Sequence, residues 1–139
     1  MSIYSKFETD KSLNKSGIVL NFGKNSKGED MGIRILPAGE ENEAYTKRME
    51  HVFKPYQRQL AAKTMDTKLL KKLVMEVYAE TVVIDFENIE DRDGQNIPYT
   101  KENAIRVFND LPALWNDIQA QAQDWTLFRL DLQEAAAGN

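Results

Sequence analysis

The apolar residues of this chain change their period near residue 40, from two to about three and a half, and that switch limits the folds open to it. In Gly17-Ile18-Val19-Leu20-Asn21-Phe22-Gly23, alternation puts Ile18, Leu20 and Phe22 on one face of a strand. Ile33 and Ile35 do the same in Met31-Gly32-Ile33-Arg34-Ile35-Leu36. Lys24 to Asp30 is turn chemistry, so the two runs read as a β-hairpin over 17–36. A lone hairpin is marginal in water and must lay its apolar face on something larger.

The helical stripes that follow supply that surface. Tyr45, Met49, Val52, Phe53, Tyr56 and Leu60 mark a helix over about 40–62, with Pro55 predicting a kink or break near Lys54. Asp66 caps a second helix over 67–85, whose stripe is Leu69, Leu70, Leu73, Val77, Thr81 and Ile84. Asp85 to Tyr99 loses the helical period around the turn Asp91-Arg92-Asp93-Gly94. Thr100 caps a short helix over 101–110. Pro112 starts a last one over 112–134, carrying Leu114, Trp115, Ile118, Ala122, Trp125, Phe128 and Leu132. Residues 1–16 read as a polar arm, 17–134 as one globular domain and 135–139 as a tail that frays. The expected fold is therefore mainly α: a compact orthogonal domain of four to five helices with an amino-terminal β-hairpin.

Composition removes much chemistry. The 139 residues suit one domain, and without cysteine there are no disulfides, thiolate metal sites or cysteine nucleophiles. A single histidine, His51, cannot build a multi-histidine metal site in one subunit. Asp91 and Asp93, with Glu102 further on, imitate the spacing of a calcium loop, but Asn96 stands where that loop needs glycine, so a solvated turn is expected. Gly23-Lys24-Asn25-Ser26-Lys27-Gly28 is followed by Glu29-Asp30, two acids that would repel phosphate. Glu76 and Glu80 lack companion ligands and read as a solvated face. No enzyme is signalled, no metal or cofactor is implied, and no apolar run reaches the length of a membrane span.

Charge is distributed unevenly. Residues 47–72 carry a net +6 and residues 73–139 a net −9, a dipolar arrangement that suits pairing with another protein better than tracking a nucleic acid. Lys47, Arg48, Lys54 and Arg58 begin the basic stretch, which is either a solvated face balanced by the acidic half or a partner-binding surface. Trp115 and Trp125, ten residues apart near one face of the last helix, are either core packing or an exposed aromatic docking site.

The order of short segments carries a resemblance. Phe7-Glu8-Thr9-Asp10, Gly17-Ile18-Val19-Leu20-Asn21-Phe22-Gly23, Ile33-Arg34-Ile35, Lys54-Pro55-Tyr56-Gln57-Arg58, Tyr78-Ala79-Glu80-Thr81-Val82-Val83, Tyr99-Thr100-Lys101-Glu102-Asn103-Ala104 and Leu111-Pro112-Ala113-Leu114-Trp115 follow one another as in the tail assembly chaperones of long-tailed, siphovirus-type bacteriophages, which the chain resembles over nearly its whole length. Asp85-Phe86 departs from the Gly-Trp expected there, and Pro37 stands where a basic residue is usual. The resemblance implies a non-catalytic protein of the host cytoplasm that binds and solubilises the tape-measure protein before the tail-tube protein polymerises around it. Self-association is compatible with that role, membrane binding is not implied, and a structural tail or neck component is the alternative. The partner-binding residues expected on this reading are Lys47, Arg48, Lys54, Arg58, Trp115 and Trp125.

Overall fold

The computed structural model describes residues 2–129. Two short helices, α1 (Ile3–Phe7) and α2 (Lys11–Ser16), precede strands β1 (Ile18–Lys24) and β2 (Asp30–Ile35). Helix α3 (Glu43–Phe53) passes through a 3-10 turn at Lys54–Tyr56 into α4 (Gln57–Ala62). Helix α5 (Thr67–Thr81), strand β3 (Val83–Glu87), helices α6 (Lys101–Asp110) and α7 (Pro112–Ala122), and a 3-10 turn at Trp125–Phe128 complete the described chain.

The strands form one antiparallel sheet in the order β1-β2-β3, so the mainly α expectation gives way to an α+β fold. The missing piece was β3, which the helical pattern had absorbed into a helix over 67–85. Two features explain the difference. Thr81-Val82-Val83-Ile84 is a run of β-branched residues, stiff in a helix and suited to a pleat. The ladder then shifts register between Arg34 and Ile35, which pair with Asp85 and Val83, so that Ile84 is an extra residue. The bulge turns both Val83 and Phe86 inward, three residues apart, and this spacing imitates a helical stripe.

Packing follows from the alternation. Leu20 on β1, Ile33 and Ile35 on β2, and Val83 and Phe86 on β3 face the helices and are buried. Against them lie Met75, Tyr78 and Ala79 of α5, Ala104, Val107 and Phe108 of α6, and Trp115 and Ile118 of α7. Tyr78 is the hub, edge-on to both Tyr45 (5.8 Å between centroids) and Trp115 (5.1 Å). Gly17 opens β1 with φ of +80°, and a Cβ there would lie 2.6 Å from the Ile35 carbonyl oxygen, so only glycine fits.

The helix ends are set by local chemistry. Asp66 Oδ2 accepts from Leu69 N at 3.3 Å, Thr100 Oγ1 accepts from Asn103 N at 3.0 Å, and Pro112 opens α7. Asn42, only 5% exposed, does more than cap α3. Its Oδ1 accepts from Tyr45 N at 3.1 Å, while Nδ2 donates to the carbonyls of Pro37 (3.0 Å) and Thr81 (2.8 Å). Leu36 N to Val82 O and Ala38 N to Ala122 O, both 2.8 Å, tie the same loop to the ends of α5 and α7.

Residues 2–16, read from sequence as an irregular arm, are helical and joined to the other end of the described chain. Asp10 N donates to Phe128 O at 2.7 Å, Thr9 bridges Arg129, and Phe7 stacks on Trp125 at 5.2 Å. Helix α7 stops at Ala122 rather than running on through Trp125 and Phe128. Leu132 of the expected stripe and the 135–139 tail lie outside the described residues.

Candidate functional site

The residues singled out from sequence do not converge. Trp115 is 3% exposed, wedged between Tyr78 and Phe108, so it is core and cannot dock a partner; this corrects its expected role. Trp125 lies beyond the end of α7, not on one helix face with Trp115. It keeps 36% of its surface exposed, with Phe7 stacked on it and the Arg129 guanidinium 5.5 Å from its ring centroid.

The basic stretch divides. Lys47 pairs with Glu43 at 2.7 Å within α3. Arg48 Nε meets Glu80 Oε2 at 2.7 Å, and Lys101 Nζ meets Oε1 of the same carboxylate at 2.5 Å, so Glu80 joins α3, α5 and α6. Desolvation pushes the Glu80 pKa up, but Lys101 and then Arg48 outweigh it and hold the carboxyl below its usual range. Arg48 is thereby a structural clamp. Lys54 and Arg58 are exposed and take no part in an ion pair or side-chain hydrogen bond among the described residues. Lys68, Lys71 and Lys72 gather separately over a shallow depression of about 290 Å³ floored by Met75 and Ile105.

A larger feature went unseen in the sequence. A groove of about 620 Å³ opens where the far end of the β1–β2 hairpin, the segment after β3 and the α6–α7 corner meet. Phe22, Met31 and Ile33 form its sheet wall, Ile89 and Ile97 its second wall, and Val107, Leu111 and Leu114 its helical wall. Leu111 is 48% exposed despite its size. Glu90, Asp91, Arg92, Arg106 and Asp110 stand around the apolar floor. Size and lining suit an apolar side-chain cluster framed by polar contacts.

The second wall is held rigidly. Ile97 N donates to Ile89 O at 2.7 Å and Asp91 N to Gln95 O at 2.8 Å, closing a tight hairpin. Asp91 Oδ1 accepts from the amides of Asp93 (2.8 Å) and Gln95 (2.9 Å), an Asx turn rather than an outward-facing ligand set. The Glu90 carboxylate accepts from Ser26 N and Ser26 Oγ, both at 2.8 Å, latching this hairpin to the β1–β2 turn. Asn88, at φ of +57°, donates from Nδ2 to Asp30 O at 2.9 Å and adds a second latch.

Tyrosine hydroxyls supply the remaining polar groups of note. Tyr99 Oη lies within hydrogen-bond distance of the carbonyls of Ala79 and Val83, and its single proton is shared across the α5–β3 junction. Burial pushes the Tyr99 pKa up to about 12. Burial does the same to Tyr78, also to about 12, even though Gln123 Nε2 donates to its oxygen at 3.1 Å. These are neutral structural groups. Among the described residues no cluster of three His, Cys, Asp or Glu could hold a metal ion, and no helix is long and apolar enough to cross a membrane.

Residues 40–139 match the family model described as YdaY prophage protein. The chain belongs to that family. It is a phage-derived protein, and the match reaches no further towards a tail assembly chaperone. The matched span contains α3 to α7, β3, and all of the groove except Phe22, Met31 and Ile33. No curated protein and no solved structure matches this YdaY-family chain.

Proposed function

We propose that this YdaY-family protein is a non-catalytic binding protein for an apolar segment of another phage polypeptide: a tail assembly chaperone whose client is the tape-measure protein. The observation that carries the binding role is the groove, a rigid apolar trough of about 620 Å³ framed by charge and open to solvent. The client identity rests on the ordered resemblance described above, with the phage origin as its background. A long helical polypeptide presents apolar turns before it is enclosed, and a small protein that covers them keeps them from associating with one another. Each groove covers one or two turns, so many copies act together along the client. The exposed α1 face, with Ile3 64%, Tyr4 71% and Phe7 59% exposed beside Trp125, offers a second apolar contact.

Co-expression with the longest helical reading frame of the same prophage tail region tests this. The client is expected in the soluble fraction with the wild-type protein and in the pellet with Leu111→Arg, which places a charge in the groove at an exposed position. An unchanged insoluble fraction with the wild-type protein refutes the reading. Mass spectrometry of purified particles separates a chaperone, absent or trace, from a tail or neck component present in fixed copy number.

A further inference from the structure

The groove has a match on the surface of its own chain. Every residue of α4 (Gln57–Ala62) is exposed, so the helix lies on nothing, and Leu60, 37% exposed, is its one large apolar side chain. Short helices are unstable unless an apolar face is packed. Residues 54–63 carry Lys54, Arg58 and Lys63 and no acid, and none of the three takes part in an ion pair or side-chain hydrogen bond among the described residues. The hairpin beside the groove is of the opposite sign: Glu90, Asp91 and Asp93 against Arg92, with Asp110 across the opening. An unpaired cationic helix with an apolar centre and an apolar trough with acidic surroundings are complementary, yet they are not joined within one molecule.

We propose that the occupant of the groove in the free protein is α4 of a second copy, with Leu60 inserted between Leu111 and Ile97 and with Lys54, Arg58 and Lys63 meeting Glu90, Asp91 and Asp110. Each copy donates one helix and offers one groove. The contact therefore closes as a reciprocal pair or continues from copy to copy. It also leaves the groove covered until a better-matched segment displaces α4. The inference rests on the groove being a docking site, but not on the identity of the client.

Sedimentation equilibrium of the full chain, with Leu60→Asp and Leu111→Arg as variants, tests it. The wild type is expected to associate with salt-sensitive affinity, weakening as ionic strength rises from about 50 to about 500 mM. Each variant alone should associate roughly 10- to 100-fold more weakly, the effect of removing one buried leucine contact. Mixed one to one, the variants should form a heterodimer, because the first still has an intact groove and the second an intact α4. A wild type that stays monomeric up to about 1 mM, variants that associate like the wild type, or a mixture that stays monomeric overturns the proposal. Circular dichroism of each variant shows that loss of association is not loss of fold. Leu60→Asp should still solubilise the client, so a monomeric wild type with an active groove would sink this inference and leave the proposed function standing.

Discussion

Asn42 holds three segments together, and replacing it by aspartate separates the two things it does. Aspartate caps helices as well as asparagine does, so a residue whose work was only to cap α3 would tolerate Asn42→Asp almost without cost. Here the amide nitrogen donates to Pro37 O at 3.0 Å and Thr81 O at 2.8 Å in a site 5% exposed. The substitution removes both donors and sets an anion against two carbonyl oxygens. Each buried carbonyl left unpaired costs about 1–3 kcal/mol, and the buried charge adds to that, so a loss of roughly 3–5 kcal/mol is expected at neutral pH. Asn42→Ala forfeits the cap and both bonds without introducing the charge, for about 2–4 kcal/mol. Against a typical domain stability of about 5–15 kcal/mol either loss is large. The site raises the pKa of the introduced carboxyl, so the extra deficit should be greatest near neutral pH and shrink as pH falls through that raised value. Urea unfolding followed by circular dichroism reads these numbers. An Asn42→Asp protein within about 0.5 kcal/mol of wild type would refute the three-way clamp.

The tyrosines predict alkaline behaviour. With folded values near 12 for Tyr78 and Tyr99 against 10.0 when unperturbed, stability is fully present below pH 10 and falls as pH rises from there to 12. Unfolding midpoints measured across that range in the wild type and in Tyr78→Phe should show a shallower decline in the variant. Glu80→Gln should cost about 0.5–2 kcal/mol at neutral pH, since it weakens two ion pairs at once. The folded pKa of Glu80 is depressed, so its contribution exists above the usual glutamate value and is lost as pH falls through the lower one; thermal midpoints of variant and wild type should converge at acid pH. Gly17→Ala meets both a φ of +80° and the Ile35 carbonyl at 2.6 Å, and should lower stability by about 1–3 kcal/mol in urea titrations.

Local signals were legible where one residue type has one use. Asp66 and Thr100 announce helix starts, Pro112 opens α7, and the 17–36 alternation yields a true hairpin. Strand β3 was not legible, because the bulge at Ile84 converts a two-residue period into the three-residue spacing of Val83 and Phe86. The groove was hidden for another reason. Its walls come from three distant stretches, and Phe22, Ile97 and Leu114 each look like ordinary core positions of their own elements. The one local hint was Leu111, a bulky apolar residue between two helices with nothing in its own helix pattern to bury it. The basic stretch looked like one surface because charge was counted along the chain, whereas Glu43 and Glu80 take up Lys47 and Arg48 and leave Lys54 and Arg58 free of ion pairs. Trp125 finds its stacking partner in Phe7, more than a hundred residues away in sequence, and no periodicity could reveal that contact.

The claim on which the functional account depends is that the trough beside Leu111 receives apolar turns of another polypeptide. Amide chemical-shift mapping during titration with the purified client segment tests it most directly. The account predicts saturable changes centred on Ile89, Ile97, Leu111 and Leu114, abolished by Leu111→Arg. Changes confined to the outer face of the sheet, or a titration that leaves those four residues unmoved, would contradict it.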